Sequence, residues 1–344
     1  MIARQVHLVR RPGEFAKPSD FRTVEAELPD IEEGQILVRN LWMSIDPYMR
    51  RSMEPIATDL EPWPLNGRLS GPAIGRVMAS RHPKFLAGDL VESMSGWQDH
   101  FISNGAEFVP YMSPDDALVK RAAAGAAPKD YVGLLGVAAL TAYAGMACFA
   151  VANPGDTAVV SSGAGTVGSI GCQIAKIRGL RVVSSAGSDD KVHWLEDVAR
   201  VDHAFNYRKR PIAAALKQGC PKGIDLVLEN ASQDHLSACL PLMNELKQIL
   251  IAGFVSIYDT GGQVPPFKNF EYVLDKFLTI RSYRFMDALD SYDTFVSDMM
   301  RWRSEGKMTL RECVFDGLEK APEALCSLFD HSSAGKVLVR IAGD

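Results

Sequence analysis

The chain has 344 residues, 47% of them hydrophobic and 23% charged, and a net charge of −5. At about 150 residues per domain this length supports two domains, each large enough to bury a core, and the composition excludes disordered and fibrous classes. A nucleic-acid partner needs a basic face; the densest basic run here, Arg208-Lys209-Arg210, is a short solvated loop before Pro211, so no such partner is expected.

Met1-Ile2-Ala3-Arg4-Gln5-Val6 carries charge with no apolar stretch behind it and does not read as a signal peptide. Residues 1–125 read as short alternating strands between turns: Gln35-Ile36-Leu37-Val38-Arg39, Ala73-Ile74-Gly75-Arg76-Val77-Met78, a turn at 84–89 feeding a strand to Val91, and a run at 97–102. The proline-rich segment 55–64 is a loop. The apolar stretch 131–151 is rich in Gly and Ala and is interrupted by Thr141 and two tyrosines; it reads as a buried helix with its approach loop, not a membrane span. From 157 onward strands alternate with helices: strands at 157–161, 181–185, 225–229 and 248–252, helices at 166–178 and 191–201. Near-continuous apolar strands alternating with helices predict a parallel sheet covered on both faces. A long helix at 288–305 stopped by Gly306, a shorter one at 321–331 and a strand at 336–341 complete the chain.

Gly163-Ala164-Gly165-Thr166-Val167-Gly168 matches G-x-G-x-x-G and sits between a strand and a helix, the context in which glycines let the backbone approach a pyrophosphate at a helix N-terminus. An NAD site places an acid at the end of the second strand. This chain reads Val183-Ser184-Ser185-Ala186-Gly187-Ser188 there, with small residues that leave room for a 2′-phosphate, and Lys191 one turn later as a point-charge ligand. The expected cofactor is therefore NADPH, with Ser185, Gly187 and Lys191 at its phosphate end. Asp189 and Asp190 are expected to be the N-cap and first turn of the following helix.

Metal chemistry is not expected. The six cysteines (148, 172, 220, 239, 313, 326) form no C-x-x-C pair, the histidines 82, 100, 193, 203, 235 and 331 show no ligand spacing, and no cysteine precedes Cys148. The cysteines read as buried free thiols of a reducing compartment, which points to the cytoplasm.

These residues resemble those of the medium-chain dehydrogenase/reductases, and within them the zinc-free prostaglandin reductase, alkenal double-bond reductase and curcumin reductase family. The resemblance runs through Met43-Ser44-Ile45-Asp46-Pro47-Tyr48-Met49-Arg50, Gly96-Trp97-Gln98-Asp99, Leu140-Thr141-Ala142-Tyr143, Ala186-Gly187-Ser188-Asp189-Asp190-Lys191, Phe205-Asn206-Tyr207, Pro221-Lys222-Gly223-Ile224-Asp225, Glu229-Asn230 and Gly335-Lys336-Val337. It implies an α/β chain: a GroES-like β-barrel substrate domain from 1–125 and 306–344, and a Rossmann doubly wound parallel sheet at 126–305. It implies Lys191 and Tyr207 at the 2′-phosphate, and Asn230, Gly253, Phe254 and Ser333 as further cofactor residues. Tyr258 matches the tyrosine near the nicotinamide ribose and substrate carbonyl, Tyr48 a substrate-pocket tyrosine, and a homodimer is common in the family. The family strings are broken at Gly136-Val137-Ala138-Ala139, at Asn230-Ala231-Ser232-Gln233, at Ser333 where the family has Asn, and at Arg51 where it has Gly.

The implied reaction is reduction of a double bond conjugated to a carbonyl. Hydride at the β-carbon makes an enolate, whose oxygen needs a donor already in place. Tyr258, after the strand 248–252 and the turn Gly253-Phe254, can donate as a neutral phenol. Without the resemblance it would as readily be a loop tyrosine that only packs, and Tyr48 as readily a residue fixed beside Pro47. An NADPH quinone oxidoreductase and a non-catalytic NADPH-binding protein both remain open on these residues.

Overall fold

The computed structural model describes all residues except 14, 56–60, 106–118, 122–124, 259–265, 331 and 344. The chain divides into two compact units, Met1–Gly136 with Glu312–Asp344, and Val137–Arg311.

The first unit is mostly β. Strands β1 (Ile2–Leu8) and β2 (Phe21–Glu27) pair antiparallel. A seven-stranded sheet is built from β3 (Ile36–Ile45), β4 (Ala73–Ser80), β5 (Leu90–Ser93), β6 (His100–Ser103), β7 (Val119–Lys120) and two strands from the chain's end. Between β3 and β4 the five-residue helix α1 (Tyr48–Ser52) follows Pro47. The core gathers Met43, Met49, Trp63, Trp97 and Val339, with Trp63 edge-on to Trp97 at 5.1 Å and Phe21 stacked on Trp97 at 5.6 Å. Aromatic contacts of this kind add about 0.5–1.5 kcal/mol each beyond burial.

The second unit opens with helix α2 (Val137–Tyr143), continued as a wider π-helical turn at Ala144–Phe149. Its strands are β8 (Thr157–Val160), β9 (Arg181–Ala186), β10 (His203–Asn206), β11 (Ile224–Glu229), β12 (Met243–Ile251) and β13 (Thr279–Ser282). Helices α3 (Thr166–Ile177), α4 (Asp189–Asp197), α5 (Ile212–Gly219), α6 (Gln233–Cys239), α7 (Glu271–Asp275) and α8 (Tyr292–Ser304) separate or follow them. The sheet runs β10-β9-β8-β11-β12-β13 and every pair is parallel, the doubly wound order expected of the apolar strands. The chain then returns to the first unit for β14 (Glu312–Asp316), α9 (Ala321–Ser327) and β15 (Lys336–Arg340), where β15 pairs antiparallel with β3.

Several expectations need correction. The long helix at 288–305 is a tight 3-10 run, Phe285–Ser291, followed by α8; Ala288 breaks helical geometry, and the Asp287 carboxylate holds the Arg284 N–H at 3.0 Å to fix the tight turn. Helix 321–331 stops at Ser327, and His331 lies outside the described residues. All six cysteines are free, but only Cys172, Cys220 and Cys239 are buried; Cys148 is exposed, and Cys313 and Cys326 lie between.

Candidate functional site

In a parallel sheet the carboxyl ends of the strands carry the ligand-facing loops. The β8 end holds the glycine motif, and the three glycines meet different surroundings. A Cβ on Gly163 would fall 1.9 Å from Ser184 Oγ, and one on Gly168 2.3 Å from the Ser162 carbonyl, so packing forbids both. A Cβ on Gly165 would meet nothing nearer than 3.4 Å, which leaves that backbone open to approach. Helix α3 starts at Thr166 with no side chain capping it, whereas α4 and α6 carry serine caps, Ser188 and Ser232. An uncapped helix start behind an open glycine suits a pyrophosphate, and Thr166 and Val167 supply the first turn.

At the β9 end, the Tyr207 hydroxyl lies against Gly187, 2.9 Å from where a Cβ would sit, and the Tyr207 N–H donates to the Ala186 carbonyl at 3.1 Å. The two acids that follow are both engaged. Asp189 accepts from Lys209 and, at 2.8 Å, from Asn206, and these bonds, Lys209 first, hold its carboxyl below the usual range. Asp190 pairs with Arg311 at 2.9 Å. The cap of α4 is Ser188, not Asp189: its hydroxyl receives the Lys191 N–H at 3.4 Å, the reach of an N-cap oxygen to the third helical residue. Lys191 thus stands in the first turn. Ser185 is 1% exposed, and its hydroxyl faces the interior, 3.0 Å from His235 Nε2.

The β11 and β12 ends lie on the other side of β8. Asn230 is buried, its amide donating to the Ser161 carbonyl and its N–H to the Ser161 hydroxyl. Past β12, a Cβ on Gly253 would lie 3.6 Å from the Tyr258 hydroxyl. Tyr258 is placed there by a single 3-10 turn, Val255–Ile257, and the Phe254 ring meets Phe267 edge-on at 6.0 Å. The departure at Ala231-Ser232-Gln233 has a local function: Ser232 caps α6, the Ser256 N–H donates to the Ala231 carbonyl at 3.0 Å, and Ser256 Oγ reaches Gln233 Oε1 at 3.4 Å. These bonds fasten the Tyr258 loop to the β11 end. The β9 and β12 ends are three strand spacings apart, about 14 Å at ~4.8 Å each, the span of an extended dinucleotide.

Tyr48 and Ser333 belong to the first unit. Tyr48 opens α1 and is partly buried; burial, and then the charge of Asp46, push its hydroxyl well above the usual phenol value, so it stays protonated. Asp46 in turn accepts from the buried Lys336 Nζ at 2.6 Å, and Lys336 also donates to Ser44 Oγ and to the Ile45 carbonyl at 3.1 Å. Arg50 is fully buried and donates to Glu54 and to the Gly13 carbonyl. The charged residues around Tyr48 therefore fix its backbone. Ser333 is turned to its own segment, with its hydroxyl donating to the Ser327 carbonyl at 2.9 Å. Sequence reasoning assigned no role of their own to Glu229, His235 and Ser161; the acid that closes the strand Asp225-Leu226-Val227-Leu228-Glu229 was the available signal. Among the described residues no group of three or more His, Cys, Asp or Glu side chains is placed to hold a metal ion.

The family described as the N-terminal domain of oxidoreductase matches residues 4–111, and the one described as zinc-binding dehydrogenase matches 166–302. The chain is 35% identical to an NADPH-dependent curcumin reductase of Escherichia coli, over 98% of this chain and 96% of that one. It is 32% identical to an NADP-dependent 2-alkenal reductase of Nicotiana tabacum, over 98% and 97%. A crystal structure of CurA in complex with NADPH from Vibrio vulnificus superimposes with a TM-score of 0.90 at 28% identity, covering 99% of this chain and 100% of that one. The chain belongs to the branch of the medium-chain dehydrogenase/reductases that contains the curcumin, prostaglandin and 2-alkenal reductases.

Proposed function

We propose that the chain is an NADPH-dependent reductase of carbon–carbon double bonds conjugated to a ketone or aldehyde. The observation that carries this reading is the second unit's run of strand ends: an open glycine before an uncapped helix, flanked on one side by Gly187, Tyr207 and Lys191 and on the other by Asn230, Gly253, Phe254 and Tyr258. The residues fit NADPH. With Asp189 turned to Lys209 and Asp190 to Arg311, neither acid after β9 is left to repel a 2′-phosphate. Gly163, Gly165, Thr166, Val167 and Gly168 would take the pyrophosphate, Gly187, Lys191 and Tyr207 the 2′-phosphate end, and Asn230, Gly253 and Phe254 the nicotinamide end. Ser185 serves through its backbone, its carbonyl receiving the Gly163 N–H at 2.9 Å.

When bound, NADPH supplies hydride. Tyr258 donates a hydrogen bond to the substrate oxygen as negative charge develops on it, and solvent returns a proton to the α-carbon. Tyr48, protonated and held by α1, shapes the substrate pocket, and Ser333 stands as a further cofactor residue. Met1–Gly136 with Glu312–Asp344 serves as the substrate unit and Val137–Arg311 as the cofactor unit. NADPH oxidation measured against enones, enals and quinones tests the reading: consumption with enones and enals supports it, while turnover of quinones alone, or binding without oxidation of any acceptor, replaces it. Zinc has no part, so activity survives exhaustive dialysis against a chelator, and one tightly bound zinc per chain by elemental analysis would overturn this.

The chain assembles as a homodimer. Strand β13 lies at the sheet edge with largely exposed residues, and Leu246, Phe270, Leu274 and Phe277 are exposed apolar side chains of the same unit. Light scattering after gel filtration should give twice the chain mass. The six free cysteines fit a cytoplasmic protein, and among the described residues no helix is long and apolar enough to cross a membrane.

A further inference from the structure

Beneath the glycine motif lies a buried polar chain that the mechanism does not use. Ser185 at the β9 end, His235 on α6 and Glu229 at the β11 end are 1%, 2% and 0% exposed. Ser185 Oγ lies 3.0 Å from His235 Nε2, and His235 Nδ1 lies 3.2 Å from Glu229 Oε2. The other carboxylate oxygen accepts from Ser161 Oγ at 2.7 Å and from the N–H groups of Ala231 and Ser232 at 2.7 and 2.9 Å. Every bond is satisfied when the Ser185 hydroxyl donates to Nε2 and Nδ1–H donates to the carboxylate. The order hydroxyl, imidazole, carboxylate is that of a hydrolytic triad, but a fully buried serine facing the interior offers no acyl group a path.

We propose instead that His235 is a positioning residue that fixes the seat of the dinucleotide, an inference that rests on the NADPH reading above. In the sheet β9 and β11 are not neighbours, because β8 lies between them. Two strand spacings, about 10 Å, exceed any direct serine–carboxylate bond. The imidazole is a rigid spacer with a bonding atom at each end, and it straps the two strands together beneath the one that carries the glycines. Both anchors reach that loop. The Ser185 carbonyl holds the Gly163 N–H, and Glu229 holds Ser161, whose hydroxyl receives the Asn230 N–H at 2.8 Å. Phe205 lies parallel to the imidazole, with ring centroids 6.5 Å apart.

The test is direct NADPH binding, by protein fluorescence and calorimetry, together with steady-state kinetics. His235→Phe should weaken NADPH binding about tenfold, the loss of one to two hydrogen bonds, while kcat at saturating NADPH changes less than twofold. His235→Asn keeps the reach of Nδ1 to Glu229, and His235→Gln that of Nε2 to Ser185; each should recover part of the affinity. Ser185→Ala should weaken binding about threefold, and Ser185→Ala with His235→Phe should be no worse than His235→Phe alone, because the two act as one unit. Should His235→Phe fail to fold, Ser185→Ala and the conservative variants decide. In wild-type protein a downfield Nδ1–H resonance, absent in His235→Gln, should shift when NADPH is added. Unchanged NADPH affinity in His235→Phe or Ser185→Ala, in a wild-type protein that binds NADPH, overturns the inference alone. Failure of the wild-type protein to bind NADPH overturns the cofactor reading and this inference with it.

Discussion

The two ends of the proposed cofactor groove use the same device with different clearance. At the β9 end a tyrosine hydroxyl, that of Tyr207, rests on Gly187 so closely that a Cβ would come within 2.9 Å of it; at the β12 end a Cβ on Gly253 would meet the Tyr258 hydroxyl at 3.6 Å, an ordinary contact distance. The first contact is backed by a dense set of polar bonds, Asn206 and Lys209 on Asp189 and Ser188 on α4. The second is carried by the 3-10 turn Val255–Ile257, which Ser256 ties to Ala231 and Gln233. Under the proposed function the closely packed β9 end gives affinity and discrimination, and the β12 end presents the Tyr258 hydroxyl to the charge that develops on the substrate. On the proposed reading, binding falls to the β9 end and chemistry to the β12 end.

The largest expected effect is on the β9 side. Lys191→Ala should raise the NADPH dissociation constant about tenfold to a hundredfold, the equivalent of losing a charged contact worth about 1.5–3 kcal/mol, and leave NADH nearly unchanged. Equal use of NADPH and NADH by the parent protein would break the assignment. Next is Tyr258→Phe, which should lower kcat on an enone about tenfold with NADPH affinity intact. That is less than a dedicated oxyanion donor gives, because Tyr258 is partly exposed and water replaces part of the bond. An unchanged kcat, with hydride transfer shown to limit the rate, would remove Tyr258 from the mechanism. The same change at Tyr48 should move KM more than kcat. The two glycines sharpen the contrast at smaller scale: Gly187→Ala displaces the Tyr207 hydroxyl and should weaken NADPH about threefold, whereas Gly253→Ala adds a methyl at ordinary contact distance and should change kcat less than twofold. If Gly253→Ala were the more damaging for NADPH affinity, the division of labour would be wrong.

The same contrast governs how much the residues revealed beforehand. The parallel sheet was legible because fully buried strands read as continuous apolar runs, and the β9 end because a missing acid and a nearby lysine are local features. The helix at 288–305 was misjudged because an Asp287 side chain closes a tight turn that periodicity does not register. Ser188 was overlooked as a cap because two acids follow it and compete for the same reading. Tyr258 rested mainly on resemblance: the strand 248–252 and the turn Gly253-Phe254 put it past a strand end, but nothing in the residues told a donor from a loop tyrosine that only packs. The strap of Ser185, His235 and Glu229 was invisible for a different reason. Its members come from three elements separated by up to 50 positions, and only the strand order brings them together beneath β8.

The most direct test of the central claim is the fate of the hydride. NADPH carrying deuterium at its transferable position, incubated with the protein and an α,β-unsaturated ketone, should give the saturated ketone with one deuterium on the carbon β to the carbonyl, located by NMR, and one NADPH consumed per ketone formed. Deuterium on the carbonyl carbon of an alcohol product, or no transfer to any enone or enal while quinones are reduced, would contradict the account.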